Sequence, residues 1–134
     1  MQNGSFERPD PQVARDYYRA MDSLSVDGVK KLLDPNIVWH VPGRHSRSGT
    51  YLGVDETMGL FDEFSRARNR KFEIEDVLSG DRYVMVLVRT TERNGNPCNA
   101  RFIHVMRTKT GCIAESWHFD EDQSRLDELV NEES

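Results

Sequence analysis

Apolar residues near the start of the chain recur every three or four positions, which is the period of an α-helix. Asp10 and Pro11 precede them and supply an N-cap carboxylate and a proline at the first helical position. The apolar face that follows comprises Val13, Tyr17, Met21 and Leu24. The pattern predicts a first helix that packs one side against a core.

Two more helices and a strand are predicted before residue 70. A short helix spans 26–33 and ends at Asp34-Pro35, because proline disrupts a helix. A β-rich run at 37–41 stops at Pro42-Gly43. The third helix follows Gly53, and its apolar side consists of Val54, Met58, Phe61 and Phe64.

The second half of the chain has the pattern of strands. Four runs, roughly 71–79, 82–93, 98–108 and 112–119, are separated by SGD, NGN and KTG turns. A last short helix begins at Ser124. Helices followed by an antiparallel meander predict an α+β fold, with the N-terminal helices on one face of a curved antiparallel sheet.

The turns predict which side chains share a face of that sheet. A three-residue loop at Lys109-Thr110-Gly111 pairs Thr108 with Cys112, and a two-residue turn at Asn94-Gly95 pairs His104 with Met85. A few polar groups on an otherwise apolar face are typical of a ligand pocket. The face so predicted carries Met85, Leu87, Arg89, Phe102, His104, Ser116, His118 and Asp120.

The opposite face of the predicted sheet is apolar and needs a second cover. An exposed patch of this size marks an interaction site, and a second copy of the chain is the most economical cover. We therefore expect a homodimer through this face, which carries Val84, Val86, Ile103, Val105, Trp117 and Phe119.

Length and composition indicate one small domain. The 134 residues form a single domain over 1–134, with its core at about 10–122. The net charge of −5 argues against nucleic acid as a partner, and the basic stretch 66–71 is interpreted as the end of a helix. No apolar run is long enough to cross a membrane, and no signal peptide is recognised, so a cytoplasmic location is expected.

The candidate chemistry is acid–base chemistry without a metal or another cofactor. The four histidines are scattered, and no metal-binding, phosphate-binding or nucleophile motif is present. In the predicted register Cys98 and Cys112 are too far apart for a disulfide. The remaining reactive groups are His, Asp and Tyr side chains in an apolar cavity, where burial changes their pKa values.

Two stretches resemble a known superfamily. These are WHVPG with SGTYLG (39–53) and GCIAESWHFD (111–120), in the same order of elements. They resemble the nuclear-transport-factor-like superfamily, and within it the SnoaL-like polyketide cyclases and, more distantly, the ketosteroid isomerases. The resemblance implies a cone-shaped, cystatin-like fold with a pocket in its open end, usually as a dimer.

The resemblance also implies roles for single residues. Tyr17 matches the isomerase tyrosine that donates a hydrogen bond to an oxyanion. His40 falls where the isomerases have their proton-shuttling aspartate, and His104 where they have a protonated aspartate. Because both acids are histidines here, the isomerase mechanism does not carry over. The SnoaL-like cyclases set a histidine and an aspartate in the pocket, roles that His104 or His118 and Asp120 fill.

The predicted function is isomerisation or aldol-type cyclisation of a small, apolar carbonyl compound. The WHVPG stretch forms one wall, with His40 near the mouth and His104 and Tyr17 deeper. The predicted catalytic residues are His40, His104, Tyr17 and Asp120, and the predicted pocket residues are Trp39, Met85, Leu87, Arg89, Phe102, Ser116 and His118.

Several alternatives stay open. The chain is also compatible with a binding module without catalysis. It is compatible with a hydrolase of the epoxide-hydrolase type as well, in which Arg89 pairs with Asp120. Each candidate catalytic residue has a structural alternative too: Tyr17 as core, His40 as a solvated strand end, His104 as a buried, hydrogen-bonded histidine and Asp120 as a cap of the final helix.

Overall fold

The computed structural model describes residues 8–67 and 70–133, without the side chains of 62–67 and 133. Phe64 and most of the basic stretch 66–71 therefore lie outside the described side chains. The elements are α1 (Pro11–Asp22), α2 (Val26–Lys31), β1 (Leu33–Val41), β2 (Gly49–Leu52), α3 (Gly53–Ala67), β3 (Arg70–Ser79), β4 (Val84–Arg93), β5 (Asn96–Lys109), β6 (Cys112–Asp120) and α4 (Gln123–Glu133).

The first helix begins where the sequence predicts. The Asp10 side chain accepts a hydrogen bond from the Gln12 amide at 3.0 Å, which caps α1. Its buried face is wider than predicted, because Ala14 and Tyr18 form a second row one turn apart beside Val13 and Tyr17. This second row brings Tyr18 to the sheet.

Six strands form one sheet in the order β2-β1-β6-β5-β4-β3. Every pairing is antiparallel except that between β1 and β6, which is parallel. The predicted α+β architecture is confirmed. Strand β2 was not predicted, because its four residues are too few to show a pattern.

The predicted register of β4 against β5 is wrong by one residue. The Asn94-Gly95 turn forms as expected and pairs Arg93 with Asn96. A β-bulge follows between Thr90 and Glu92, and beyond it His104 lies opposite Val86. A shift of one residue exchanges the two faces of a strand. Val84 and Val86 therefore face the helices and are fully buried.

The predicted faces of β6 are correct, although its alignment with β5 is not. The loop has two residues, Thr110 and Gly111, both with positive φ, and it pairs Lys109 with Cys112. A bulge near Ala114 then adds one residue to β6. The turn and the bulge together move the pairing by two positions, so His104 lies opposite His118, on the face predicted for both.

The core lies between the helices and the sheet face that carries Val86 and His104. The other sheet face, here called the outer face, carries Leu78, Met85, Leu87, Ile103, Val105, Trp117 and Phe119. Several of these apolar residues are unusually exposed: the exposed fraction is 58% for Phe119 and 53% for Leu78. Within the described residues, no helix is long and apolar enough to cross a bilayer.

Candidate active site

A cavity of 570 Å³ lies between the helix-facing side of the sheet and helices α1, α3 and α4. This is the size of a small-molecule site. Its deep wall consists of buried side chains, among them Tyr17, Trp39 and Leu60. Exposed residues such as Asn99 and Arg125 mark its mouth, where β5 begins and α4 follows β6.

His118 forms part of the cavity wall near the end of β6. Its ring packs between aromatic neighbours, with centroids 4.1 Å from His104 and 5.4 Å from Trp39. Burial lowers the pKa of His118 to about 4. The neutral ring keeps one N–H, and Nδ1 lies 3.5 Å from the His40 carbonyl oxygen, which can only accept. Nε2 therefore carries the lone pair.

Asp120 follows two residues later on the same face and also lines the cavity. Its side chain accepts a hydrogen bond from the Asp122 amide at 2.9 Å. Burial is the largest effect on this carboxyl and raises its pKa, while the charge of Arg93 acts in the opposite direction. A carboxylate with a raised pKa is a better proton acceptor than an ordinary surface aspartate.

Tyr17 lines the deep part of the cavity beside an aromatic wall. Its ring centroid lies 5.7 Å from that of Trp39 and 6.2 Å from that of Phe61. Burial raises the pKa of Tyr17 far above its ordinary value, which outweighs the opposite effect of the Arg70 charge. The hydroxyl therefore stays protonated and is a hydrogen-bond donor.

His104 does not line the cavity, contrary to the sequence expectation. It is fully buried, and both ring nitrogens have partners: Nδ1 with Tyr18 Oη and Nε2 with Ser116 Oγ, each at 2.6 Å. Burial, and next the neighbouring His118, lower its pKa well below the ordinary value. His104 and Ser116 thus stand behind the wall that His118 forms.

His40 points away from the cavity, so the expectation that it shares a site with His104 is wrong. Successive side chains of a strand face opposite sides, and Trp39 is the one that faces inward. The His40 ring stacks on Trp117 at 5.4 Å, and Nε2 lies 2.8 Å from a Glu115 carboxylate oxygen. Nδ1 is 3.2 Å from Thr50 Oγ1.

Three predicted pocket residues lie on the outer side of the sheet because of the bulge in β5. Met85 and Leu87 belong to the outer face. Arg89 bonds with Glu75 and Asn99 there, so it does not pair with Asp120 as a hydrolase of the epoxide-hydrolase type requires. Of the predicted pocket residues, Trp39, Phe102 and His118 do line the cavity.

The sequence reasoning missed several residues of this site. Tyr18 has a detectable signal, since Ala14 and Tyr18 are one helical turn apart beside the predicted face. The contributions of Phe72 and of the α4 side chains depend on the tertiary fold and have no local signal. Among the described residues, no group of three or more His, Cys, Asp or Glu side chains is arranged to hold a metal ion.

Comparisons with known proteins agree with this fold. The model of the SnoaL-like domain family matches residues 14–116. Bal32a, from a soil-derived mobile gene cassette, is 25% identical with a TM-score of 0.80, over 89% of this chain and 94% of that one. A Xanthomonas campestris protein of unknown function with a cystatin-like fold is 21% identical with a TM-score of 0.80, over 90% and 96%.

A third solved structure is less similar. A Sinorhizobium meliloti protein, provisionally described as a polyketide cyclase, is 16% identical with a TM-score of 0.66, over 81% of this chain and 94% of that one. At this identity the likeness shows the fold alone. A comparison with curated proteins found no match.

Proposed function

This chain belongs to the SnoaL-like domain family, and we propose that it is an enzyme that isomerises or cyclises a small, largely apolar carbonyl compound. The observation that carries the proposal is the 570 Å³ cavity, in which the polar groups of Asp120, His118 and Tyr17 lie among mainly apolar lining residues. A few polar groups in an apolar cavity bind and orient a ligand through those groups.

The roles follow from the protonation states. Asp120 accepts a proton from the carbon next to the ligand carbonyl, and Tyr17 donates a hydrogen bond to the enolate oxygen that forms. In isomerisation, Asp120 returns the proton to another carbon. In an aldol-type closure, the enolate carbon attacks a second carbonyl, and the new alkoxide takes the proton.

His118 has a different part in this proposal. A ring whose pKa is about 4 is neutral near pH 7, and it holds a proton too weakly to be the main base. We assign it as a hydrogen-bond acceptor that orients a ligand hydroxyl or enol through Nε2. His104 is a positioning residue, since it stacks on His118 and contacts no cavity space.

We also propose a homodimer through the outer face. The apolar centre of this face is bordered by charged pairs, such as Arg89 with Glu75 and Arg101 with Glu121. An apolar centre with a charged rim is typical of protein interfaces.

The free thiols of Cys98 and Cys112 support a reducing, cytoplasmic location.

A ligand screen tests the cavity assignment. Enolisable ketones and polyketide-like compounds are added singly, and the melting temperature is measured, because a bound ligand stabilises the folded state. We expect that Leu129→Trp, which fills the cavity, abolishes the shifts produced by the hits. The control Glu128→Trp changes the next residue, which faces solvent. Shifts that survive equally in both variants would contradict binding in the cavity.

A further inference from the structure

Helix α4 covers one side of the cavity and is fastened at its outer side to the loop 42–48 between β1 and β2. Its apolar side chains Leu126, Leu129 and Val130 line the cavity, and Val130 is only 2% exposed. The helix therefore shields this side of the cavity from solvent. Its position decides whether that space is open.

Three hydrogen bonds, here called the latch, fasten α4 to the loop. The Arg44 amide donates to Asp127 Oδ2 at 2.9 Å, and the Ser46 amide donates to Asn131 Oδ1 at 3.0 Å. The Asn131 Nδ2 amide donates to the Arg44 carbonyl at 3.3 Å. Asp127 and Asn131 lie one helical turn apart, so both reach the same short segment of the loop.

The loop is shaped to approach the helix closely. Gly43 has a φ of +94°, which favours glycine. A Cβ built at Gly43 would lie 2.3 Å from both Asp127 Oδ1 and Gln123 Nε2, so a larger residue would displace these two side-chain ends and disturb the Asp127 contact. Gln123 Nε2 also donates to Asp127 Oδ1 at 2.8 Å, which fixes the carboxylate of the latch.

The latch is built for opening at low cost. Its three bonds are exposed, and water replaces exposed hydrogen bonds with little net loss. Glu121 is still bonded to β5, because its amide donates to the Arg101 carbonyl at 3.1 Å, and α4 begins two residues later at Gln123. A movement of the helix beyond Glu121 therefore breaks none of the strand pairings. Apart from its apolar side chains over the cavity, α4 is held to the loop by exposed hydrogen bonds, and segments with few buried contacts open independently of the core.

We propose that α4 is a lid that swings about residue 122, and that Asp127 and Asn131 set the rate at which a ligand enters the cavity. The gating role rests on the proposed cavity site. The opening of the lid itself can be measured without any ligand.

Hydrogen exchange tests the opening. In the variant Asp127→Ala/Asn131→Ala, the amides of 123–132 should exchange at least tenfold faster than in the unaltered chain, which is a change of about 1.4 kcal/mol. The amides of β4 and β5 should be unchanged. The control Glu128→Ala removes an exposed side chain of the same helix that pairs with Arg125, one turn before it, and should leave exchange unaltered.

A probe tests the gating. 8-Anilinonaphthalene-1-sulfonate is mixed with a Trp117→Phe background, so that energy transfer reports only on Trp39 in the cavity wall. The association rate should rise at least tenfold in the latch variant and stay the same in the Glu128→Ala control. Asn131→Ala alone, which removes two of the three bonds, should give an intermediate rate.

The outcomes separate the two ideas. Unchanged exchange in α4, or exchange that rises equally in the sheet, overturns the lid. Faster exchange with an unchanged association rate overturns the gating role while the cavity site stands. If the probe quenches Trp39 fluorescence in none of the variants, the cavity site is rejected, and the gating role with it.

Discussion

His104 and His118 stack face to face between β5 and β6, yet only His118 borders the cavity. The difference comes from their partners. His104 has a partner at each ring nitrogen, whereas His118 has one long contact to a backbone carbonyl. At the scale of the residue, the number of hydrogen bonds left for a ligand distinguishes a positioning histidine from one that a ligand contacts.

Replacing His104 should therefore reduce stability. His104→Ala leaves the buried Tyr18 and Ser116 hydroxyls without this partner and creates a void, so we expect a loss of about 3–4 kcal/mol in the free energy of unfolding. The control Tyr18→Phe removes one of the two bonds and should cost about 1–2 kcal/mol. Urea denaturation measures both. A loss in His104→Ala no greater than in the control would contradict the structural assignment.

Stability should fall as the solution becomes more acidic. Burial places the folded-state pKa of both His104 and His118 below their ordinary value of 6.5. Between about pH 4 and 6.5 the unfolded chain then binds more protons, so the free energy of unfolding decreases as the pH falls through this window. The raised pKa of Asp120 acts in the opposite direction, whereas the lowered pKa values of His45 and Asp127 act in the same direction as those of the two buried histidines.

His118→Phe tests this pH dependence, since it removes one of the two histidines. Below pH 6.5, the unfolding free energy should change less steeply with pH in the variant than in the unaltered chain, by at most about 1.4 kcal/mol per pH unit. From pH 7 to 8, the variant and the unaltered chain should give parallel curves, because the rings are neutral in both states there. An unchanged slope between pH 5 and 6.5 would show that His118 is not desolvated.

At the scale of the element, two β-bulges decide which side chains face the cavity. The bulge in β5 moves Met85 to the outer face and Val86 to the core, whereas the bulge in β6 and the shorter turn before it together leave the face of His118 unchanged. At a bulge, two residues of one strand lie opposite one residue of its partner. This depends on the pairing of the strands, so the pattern of apolar residues along one strand does not reveal it. The residues from Val84 to Val88 are all apolar, so β4 shows no alternation of apolar and polar residues that would indicate which of them face the core.

Neighbouring substitutions in β4 test the register. Val86 is fully buried and Met85 is 41% exposed, although both are apolar. Val86→Ala should lower the free energy of unfolding by about 2 kcal/mol, because it removes two buried carbon atoms and leaves a void. Met85→Ala should change it by less than about 1 kcal/mol under conditions in which the chain is monomeric. The reverse order would restore the register predicted from the sequence.

The sequence predicted the start of α1 and the Asn94-Gly95 turn because each has a local cause. Asp10 caps α1 through its own side chain, and Asn94 and Gly95 adopt the positive φ that their turn requires. The positions of His40, Met85 and Arg89 depend on pairing between distant strands. For His40, the inward side chain of Trp39 fixes the outward direction.

At the scale of the whole molecule, the outer face predicts self-association. Light scattering at micromolar concentration should give twice the chain mass of 15.5 kDa. Phe119→Asp places a charge on the outer face and should give a monomer. The control Leu24→Asp alters an apolar residue of similar exposure, 53% against 58%, on another surface, and should stay dimeric. A monomeric unaltered chain, or a dimer that survives Phe119→Asp, would contradict this interface.

The most direct test of the account is proton exchange from a bound ligand. With a ketone that the thermal screen identifies, the incorporation of deuterium from D₂O next to the carbonyl is followed by NMR. We expect rapid exchange with the unaltered chain and a loss of at least a hundredfold in Asp120→Asn. Glu115→Gln, a carboxylate of the same strand on the opposite face, should retain the exchange. Equal exchange rates with and without the Asp120 carboxylate would contradict an acid–base site in this cavity.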